Sequence, residues 1–599
     1  MVRPRTSISW PGLELSRDPG VDRKRDVLNA IPRAVVGVGA TRRERDSSFL
    51  LVLEHWRQYP DVSLLSVPTR SGRCHRLSSE LHYLHSESDT DPETASRLYR
   101  GRSLAGTAGN ELAEPVDTDI CLSDPMETVE TQWGKPLFLT AFLIASVFVW
   151  LAWEMASGTL ANTDELLTAE RSREMLTLGR SEVHFNFEPS FEKPPLQYWL
   201  TGLSLQTLKN RTFAVRIWPL VYLVLTAICA SWLAFLLEPS RPWVVPLTVA
   251  LLISCPLFCK EAWHHSLDIG LAFFITATFV CAQLARRHSV WWLGVGIACW
   301  LGTLQKVPLV AFIWLLILIV RLISPKERLL LGYRWLFPSL VGAALLASIW
   351  PVVQHLNYGM SFRSFYQEEI VDWLGSKYLA SRPYLEIPYR LSVTSACGIF
   401  LLIASFAALL WRKQNFTQPI KEISIASLAF IGLAVITNFR SVRYIVPVIP
   451  ALCLVLAIVL HRLLERKGSV RSLAVGLAAV LLLEGFIQTK LDIQFNRKDV
   501  AIEKRVAEEL GALQEEGTRT VLINARDQGA SLLYNSFYLF HGNLRFPVTK
   551  FTVDQIRRSP PPPPVLGVCI DRDFTAVHEV YSNPRVQFIL EQFIIWRAD

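Results

Sequence analysis

Long apolar runs recur along this chain from about Trp133 to Gln488, and each is long enough to cross a membrane. A helix of about 17–25 apolar residues spans the roughly 30 Å hydrocarbon core of a bilayer. Helices in soluble cores are seldom apolar on every face over that length. The sequence therefore predicts a polytopic α-helical membrane protein of about 11–13 spans. We place them at residues 136–153, 214–237, 243–259, 267–285, 290–304, 307–323, 335–354, 390–411, 423–437, 443–460 and 471–487.

Composition and charge support this class and exclude others. Hydrophobic residues make up 51% of the chain and charged residues only 19%, whereas soluble proteins carry about 25% charged residues. The net charge of +8 needs no nucleic-acid partner, because basic residues gather in the short loops after alternate spans, as cytoplasmic loops do. These residues are Arg241, Arg286, Arg287, Lys326, Arg328, Arg334, Arg412, Lys413, Lys421, Arg462, Arg466, Lys467 and Arg471.

The same bias assigns a side to the remaining loops. Loops 154–213, 260–266, 355–389 and 438–442, together with the C-terminal region, are predicted to be extracytoplasmic. We expect the protein in a bacterial inner membrane, with its active site and C-terminal region outside the cytoplasm.

Three regions divide the chain. Residues 1–132 contain neither an apolar span nor the hydrophobic segment of a signal peptide. We expect a disordered extension there, with a misassigned translation start as the alternative. Residues 133–488 form the predicted membrane domain, and residues 489–599 a small soluble α/β domain. Its predicted elements are helices at 499–513 and 530–540, strands at 520–524 and 565–570, and a final strand or strand pair within 586–596.

The long loop 154–213 contains an acidic segment at its start. Asn162 is a good helix N-cap, and Glu165 three residues later resembles the second half of a capping box. The predicted helix ends near Gly179. Its apolar stripe, formed by Leu166, Leu167, Met175 and Leu178, predicts that it lies along the membrane surface. Asp164 and Glu165 are candidate catalytic carboxylates, and helix capping is the alternative.

The second half of this loop contains a basic residue beside two prolines. Pro194 and Pro195 hold Lys193 in an extended segment that leads into the next helical stretch. Tyr198 and Trp199 suit a membrane interface. Lys193 is therefore a candidate for binding one specific phosphate, with nonspecific contact to lipid headgroups as the alternative.

Two further positions fall on the same predicted side. Asp268 stands at the start of an apolar span, where a carboxylate is costly without a partner or a wet cavity. N-capping of the span is its alternative role. Arg440 and Arg443 run against the charge bias of their side, which indicates an anionic partner.

These motifs resemble those of GT-C fold glycosyltransferases. Within that group, the chain resembles the branch of bacterial lipid A 4-amino-4-deoxy-L-arabinose transferases and dolichyl-phosphate-mannose protein mannosyltransferases, over about residues 137–460. Glu192-Lys193-Pro194-Pro195 is the most specific element. The other landmarks are Asp164-Glu165, Arg173-Glu174-Met175-Leu176, Tyr198-Trp199, Leu267-Asp268, Leu304-Gln305-Lys306-Val307-Pro308 and Arg443-Tyr444-Ile445-Val446-Pro447-Val448-Ile449-Pro450.

The resemblance implies a polyprenyl-phosphate sugar as donor and an envelope lipid, glycan or protein as acceptor. A single displacement would invert the anomeric carbon. Asp164 is expected to be the base, with Asp268 as a second carboxylate and Glu165 beside them. The remaining expected roles are donor phosphate binding by Lys193, Arg440 and Arg443, and substrate binding by Glu192, Tyr198 and His265.

The chain also departs from the pattern. The arabinose transferases carry Arg-Tyr shortly after the acidic pair, where this sequence has Leu166-Leu167-Thr168. We therefore expect Arg440 or Arg443 to replace a missing phosphate contact, or the donor or acceptor to differ.

Other functions are open to the same residues. No cofactor is expected, although His264 or His265 with Glu192 is a conceivable metal site. Charges near spans also occur in secondary transporters, but no inverted repeat is evident. A membrane scaffold with an external binding domain is the third possibility.

Overall fold

A computed structural model of the protein describes residues 125–367 except 307 and 330, a few positions between 400 and 407, and residues 417–436, 442–496, 500–524 and 535–599. The predicted N-terminal extension, most of the predicted span at 390–411, and Arg440 lie outside these described residues.

The membrane domain is a bundle of apolar helices. We number them α1 Pro125–Ala156, α2 Thr163–Leu178, α3 Leu196–Thr207, α4 Arg211–Leu237, α5 Val244–Ile253, α6 Pro256–Trp263, α7 Leu267–Leu284, α8 Trp292–Gln305, α9 Leu309–Ile323, α10 Pro325–Arg328, α11 Tyr333–Tyr358, α12 Met360–Tyr366, α13 Gln418–Ile436, α14 Ile449–Leu464 and α15 Ser469–Asn496. Short 3-10 helices at Ser289–Trp291 and Val442–Val448 precede α8 and α14.

Among the described residues, seven helices are long and apolar enough to cross a membrane, with an eighth if α5 and α6 count as one span bent by 58°. The helices α8 and α9 are apolar but shorter. A described helix coincides with every predicted span except 390–411. The predicted fold class, a polytopic helical membrane protein with a small C-terminal α/β region, is confirmed.

Burial separates central helices from peripheral ones. In the apolar segments of α7 and of Val442–Leu464, 78% and 83% of the residues are buried, against 22% in α1 and 17% in α15. The peripheral helices expose large apolar side chains such as Phe138 and Leu483, as helices that contact lipid do. Asp268 and Arg443 therefore stand on the two most buried of the seven candidate spans among the described residues.

The loop between α1 and α4 folds against this bundle. It contains α2, a two-stranded hairpin of β1 His184–Phe185 and β2 Glu188–Pro189, and α3. The predicted ends of α2 are confirmed, because the Asn162 side chain accepts from the Asp164 amide at 3.0 Å and Gly179 has a positive φ of 62°.

Two other expectations about α2 are wrong. The Glu165 side chain does not complete a capping box, because it binds Arg216 on α4. The apolar stripe of the helix does not face lipid as expected, because protein buries nearly all of its middle turns. Leu166 belongs to an apolar core shared with the C-terminal domain, and Met175 packs with Val183 and Tyr198.

The C-terminal domain has a five-stranded mixed sheet. Its elements are α16 Ala501–Leu513, β3 Arg519–Asn524, α17 Asn535–His541, β4 Val548–Thr552, α18 Val553–Arg558, β5 Val565–Ile570, α19 Asp571–Val580, β6 Arg585–Leu590 and β7 Phe593–Ala598. The strand order is β4-β3-β5-β7-β6; β4, β3 and β5 are parallel to one another, and β7 is antiparallel to both of its neighbours, β5 and β6.

Sequence reasoning found part of this domain. It located α16, β3, β5 and the final strand pair, and the described part of the helix expected at 530–540 is α17. It missed β4, α18 and α19. The last membrane helix also continues to Asn496, beyond the boundary that we expected at residue 489.

Candidate functional site

An open cavity lies where α2, the segment before α3, the start of α7, the end of α8 and the 3-10 helix Val442–Val448 meet. Its envelope is about 500 Å³. The cavity is strongly charged for a site at the end of a membrane bundle. Its lining residues are Asp164, Leu167, Thr168, Arg171, Glu192, Lys193, Tyr198, His265, Ser266, Leu267, Asp268, Lys306, Arg443 and Tyr444.

The first carboxylate of the cavity is Asp164, in the first turn of α2. Arg443 Nη1 donates to Asp164 Oδ2 at 2.5 Å, and 47% of the Asp164 side chain is exposed. The amide groups of this helix start also favour negative charge at Asp164. Asp164 is therefore a carboxylate partner of Arg443 that solvent or a ligand can reach.

The second carboxylate, Asp268, is enclosed. Lys306 Nζ lies 2.6 Å from Asp268 Oδ1, and the Ser266 hydroxyl donates to Oδ2 at 3.1 Å. Only 3% of the Asp268 side chain and 11% of the Lys306 side chain are exposed. Ser266 also caps α7 through the Asp268 amide. The expected capping function thus belongs to Ser266, while Asp268 forms a buried ion pair.

Arg171 joins the two halves of the long loop. It lies on α2, donates to the Tyr198 hydroxyl at 2.9 Å, and forms a close ion pair with Glu192. Burial alone would raise the pKa of the Glu192 carboxyl, but the Arg171 guanidinium outweighs it and holds that pKa below its ordinary value. This arrangement fixes the backbone beside Lys193, whose Nζ is 3.9 Å from Glu192.

Lys306 is held by a buried amide network. Its neighbour Gln305 donates to Gln197 at 3.0 Å and accepts from the Tyr222 hydroxyl at 3.2 Å. A Cβ on Gly270 would come within 2.3 Å of the Gln305 side chain. The glycine two residues after Asp268 therefore makes room for the residue that fixes Lys306.

Glu165 does not line the cavity. Its two carboxylate oxygens accept from Arg216 Nε and Nη2 at 2.9 and 3.0 Å, and both side chains are buried. The acidic pair is thus divided, since Asp164 faces the cavity and Glu165 faces the bundle. A catalytic function for Glu165 stays a prediction, and its contacts are those of a structural ion pair.

The two histidines have different positions. His265 lines the cavity with a positive φ of 56° and lies 3.3 Å from Gln197 Nε2. Burial, with a smaller contribution from Arg216, lowers its pKa to about 3. His264 pairs with Asn162 at 2.6 Å, outside the cavity lining. In the described part of the chain, His, Cys, Asp and Glu residues form no group of three that could hold a metal ion.

Sequence reasoning missed three residues of the site: Arg171, Lys306 and Tyr444. Arg171 lies one helical turn beyond Thr168, so it occupies the same face as the arginine that the sequence lacks near residue 167. Lys306 and Tyr444 were both inside recognised motifs. Their spacing in the sequence gave no sign that Lys306 would approach the Tyr444 ring to 4.8 Å.

The fold is that of the GT-C glycosyltransferases. The crystal structure of ArnT from Cupriavidus metallidurans bound to undecaprenyl phosphate superposes on this chain with a TM-score of 0.61 at 15% identity, over 76% of this chain and 97% of that chain. The resemblance to the GT-C group that the motifs indicated is confirmed.

Sequence comparisons agree on part of the chain. Residues 187–342 match the family model described as dolichyl-phosphate-mannose-protein mannosyltransferase. Relatives named undecaprenyl phosphate-alpha-4-amino-4-deoxy-L-arabinose arabinosyl transferase occur in Erwinia tasmaniensis, at 32% identity over 32% of this chain and 35% of theirs, and in Pseudomonas fluorescens, at 27% identity over 60% of this chain and 66% of theirs. The matched segment covers about a third of the length of the Erwinia relative.

Proposed function

We propose that this protein is a membrane glycosyltransferase that moves a sugar from a polyprenyl-phosphate donor to an envelope lipid, glycan or protein. The observation that carries the proposal is the cavity itself, in which a reachable carboxylate, Asp164, faces basic groups from three separate elements: Lys193, Lys306 and Arg443. The names of the relatives, which include undecaprenyl phosphate, support a lipid-phosphate donor.

The basic groups suit the leaving group. When the bond between the sugar and the phosphate breaks, the electron pair stays on the lipid phosphate, and its added negative charge must be stabilised. Lys193, Lys306 and Arg443 provide that charge where the bundle meets the loop, close to where a lipid with its tail in the bilayer would present its phosphate. Arg443 offers a bidentate fork, and the two lysines act as point charges.

Asp164 suits the base for a hydroxyl acceptor. Its carboxylate takes the proton, the acceptor oxygen attacks the anomeric carbon, and the polyprenyl phosphate leaves from the opposite face with inversion. Asp268 suits this step less, because it is buried and bound to Lys306; its function is to hold that lysine. If the acceptor is itself a phosphate, no proton needs removal, and Asp164 orients the reacting groups.

The active site is assigned to the extracytoplasmic side of the membrane. Helix α7 begins at the cavity with Asp268 and ends beside Arg286, roughly 27 Å away at about 1.5 Å per residue. Arg286 belongs to the basic loops that indicate the cytoplasmic side. The C-terminal domain contacts α2 and so shares the side of the cavity.

The test is transfer by the purified full-length protein in vesicles that contain polyprenyl-phosphate sugars. Asp164→Asn is expected to lower the rate by at least about 100-fold, as loss of a general base does, while folding and insertion persist. Glu188→Gln is the matched control, because it makes the same chemical change on the exposed hairpin strand β2, outside the cavity lining.

Two results would count against the proposal in different ways. Near-normal transfer by Asp164→Asn would refute the assignment of the base. Absence of transfer from every polyprenyl-phosphate sugar tested would refute the reaction. Lipid profiling of the host envelope with and without the gene identifies both substrates, because the donor accumulates and the product glycoconjugate disappears.

A further inference from the structure

Helix α2 has two faces with different neighbours. Asp164, Leu167, Thr168 and Arg171 follow one another at helical spacing and line the cavity. The face formed by Leu166, Ala169, Glu170 and Arg173 is turned away and buried. Whatever covers this second face therefore determines where the cavity face lies.

The C-terminal domain provides the apolar cover. Leu166 and Ala169 are fully buried in one continuous core with Phe537, Phe540 and Leu544 of that domain. Leu160 and Ala161, just before α2, enter the same core. The helix that carries Asp164 is thus packed between the membrane bundle and helix α17 of the C-terminal domain, rather than projecting into solvent.

Polar contacts fix the orientation of the hairpin beside it. The Asn186 side chain accepts from the Val548 amide at 2.8 Å and donates to the Val548 carbonyl at 3.1 Å, as a neighbouring strand would do at the edge of β4. The Asn186 and Phe187 amides both donate to Glu174 on α2, at 2.8 and 2.9 Å. The domain edge, the hairpin and α2 therefore form one connected chain of hydrogen bonds.

Further polar links join the C-terminal domain to the segment just before α2 and to Arg173 inside it. His541 Nε2 is 3.1 Å from the Leu160 carbonyl, and Arg173 reaches Asn543 at 3.4 Å. Arg211, at the start of α4, lies over the Phe540 ring at 4.5 Å. The contact with the C-terminal domain thus extends from before Asp164 to Arg173, in the second half of α2.

We infer that the C-terminal domain is a positioning element for the cavity, rather than a separate binding module, and that Asn186 of the hairpin is the residue through which it holds α2. This inference rests on the proposed function, because it assigns the domain to the geometry of Asp164. A helix of about 15 residues is only marginally stable alone, so α2 depends on both partners for its position. A displacement of about 1 Å at a reacting group can lower a rate about 100-fold.

The test uses the full chain with Asn186→Gly. Asn186 has a positive φ of 56°, which glycine adopts without strain. The change therefore removes the side-chain amide that binds Val548 and keeps the backbone amide that binds Glu174. Gln555→Ala is the matched control: it removes a 2.8 Å side-chain to backbone hydrogen bond from α18, which packs on the opposite face of the same sheet.

Hydrogen exchange of the α2 amides is measured first, because it does not depend on the reaction. Loss of the two bonds to Val548 is expected to speed exchange by about tenfold, whereas Gln555→Ala leaves it unchanged. Unchanged exchange in Asn186→Gly would overturn the inference, even if no sugar transfer were found.

Kinetics then test the consequence. Asn186→Gly is expected to lower kcat by about tenfold or more. Donor binding should stay within about twofold of normal, because the side chains proposed to bind the donor phosphate, Lys193, Lys306 and Arg443, lie outside α2. Asn186→Asp, which keeps one of the two contacts, should recover part of the loss. A normal kcat beside faster exchange would show that the domain stabilises α2 without positioning the site. If the unmodified protein transferred no sugar, the proposed function would fail while the exchange result stood.

Discussion

Arg443 and Asp164, 279 positions apart in the sequence, meet across 2.5 Å at the mouth of the cavity. We expect this guanidinium, besides pairing with the proposed base, to bind the phosphate of an incoming donor. Arg443→Ala is therefore expected to weaken donor binding about 10- to 100-fold, the loss typical of a hydrogen bond to a charged group. Titration with polyprenyl phosphate measures the effect, and Arg443→Lys should lie between. Unchanged binding would remove Arg443 from the donor site.

We expect Lys306 both to neutralise Asp268, with which it pairs, and to bind the donor phosphate, and a pair of variants separates these two functions. Lys306→Met leaves Asp268 buried without its partner, which costs about 3–5 kcal/mol of unfolding free energy. The double change Lys306→Met with Asp268→Asn removes both charges and should recover most of that stability, measured by thermal unfolding in detergent. Transfer should stay low in both variants. Recovery of transfer in the double variant would show that Lys306 only neutralises Asp268.

Two functions compete for Glu165: the catalytic one that the sequence predicts and the structural ion pair with Arg216 that the geometry shows. If its function is the ion pair with Arg216, Glu165→Gln should lower stability by about 3–5 kcal/mol and leave kcat of the folded fraction near normal. Combining it with Arg216→Met should restore stability. A selective fall in kcat at unchanged stability would instead support the catalytic function that the sequence suggested.

The raised pKa of the Glu174 carboxyl predicts that the free energy of unfolding depends on pH. Burial first, and then the nearby Glu170, raise the pKa of its carboxyl to about 8, although the hydrogen bond from the Phe187 amide and the charge of Arg173 lower it. A carboxyl whose pKa is raised on folding binds more protons in the folded state. The free energy of unfolding should therefore fall as pH rises from about 4.5 to about 8 and then level off. Unfolding measured across that range should lose much of this slope in Glu174→Gln; an unchanged slope would assign it to other groups.

Local signals in the sequence predicted much of this fold. The length of the apolar runs located the spans, and Asn162 and Gly179 marked the ends of α2, because hydrophobic length and capping act within a few residues. The Glu-Lys-Pro-Pro segment likewise pointed to the cavity.

Long-range pairings could not be predicted in the same way. The apolar stripe of α2 is equally compatible with lipid and with protein, and only the arrival of the C-terminal domain determines that Leu166 is buried in protein. The spacing between Asn162 and Glu165 suggested a capping box. The true partner of Glu165, Arg216, lies 51 positions away in the sequence, and no local signal connects the two. Arg171 gave no signal, since its partners Glu192 and Tyr198 meet it only after the loop has folded back.

The charge of the cavity lining bears on turnover. Its lining includes four basic and three acidic side chains, so one positive charge remains in excess. A donor phosphodiester, with one negative charge, neutralises that excess. After transfer to a hydroxyl, Asp164 carries the acceptor's proton, so the excess rises to two positive charges. The spent carrier, a phosphate monoester with a charge of about −1.5 to −2 near neutral pH, matches that excess. The site should therefore hold its product more tightly than its substrate, so that departure of the empty lipid carrier, rather than bond breaking, sets the pace of repeated transfer and the free carrier acts as an inhibitor.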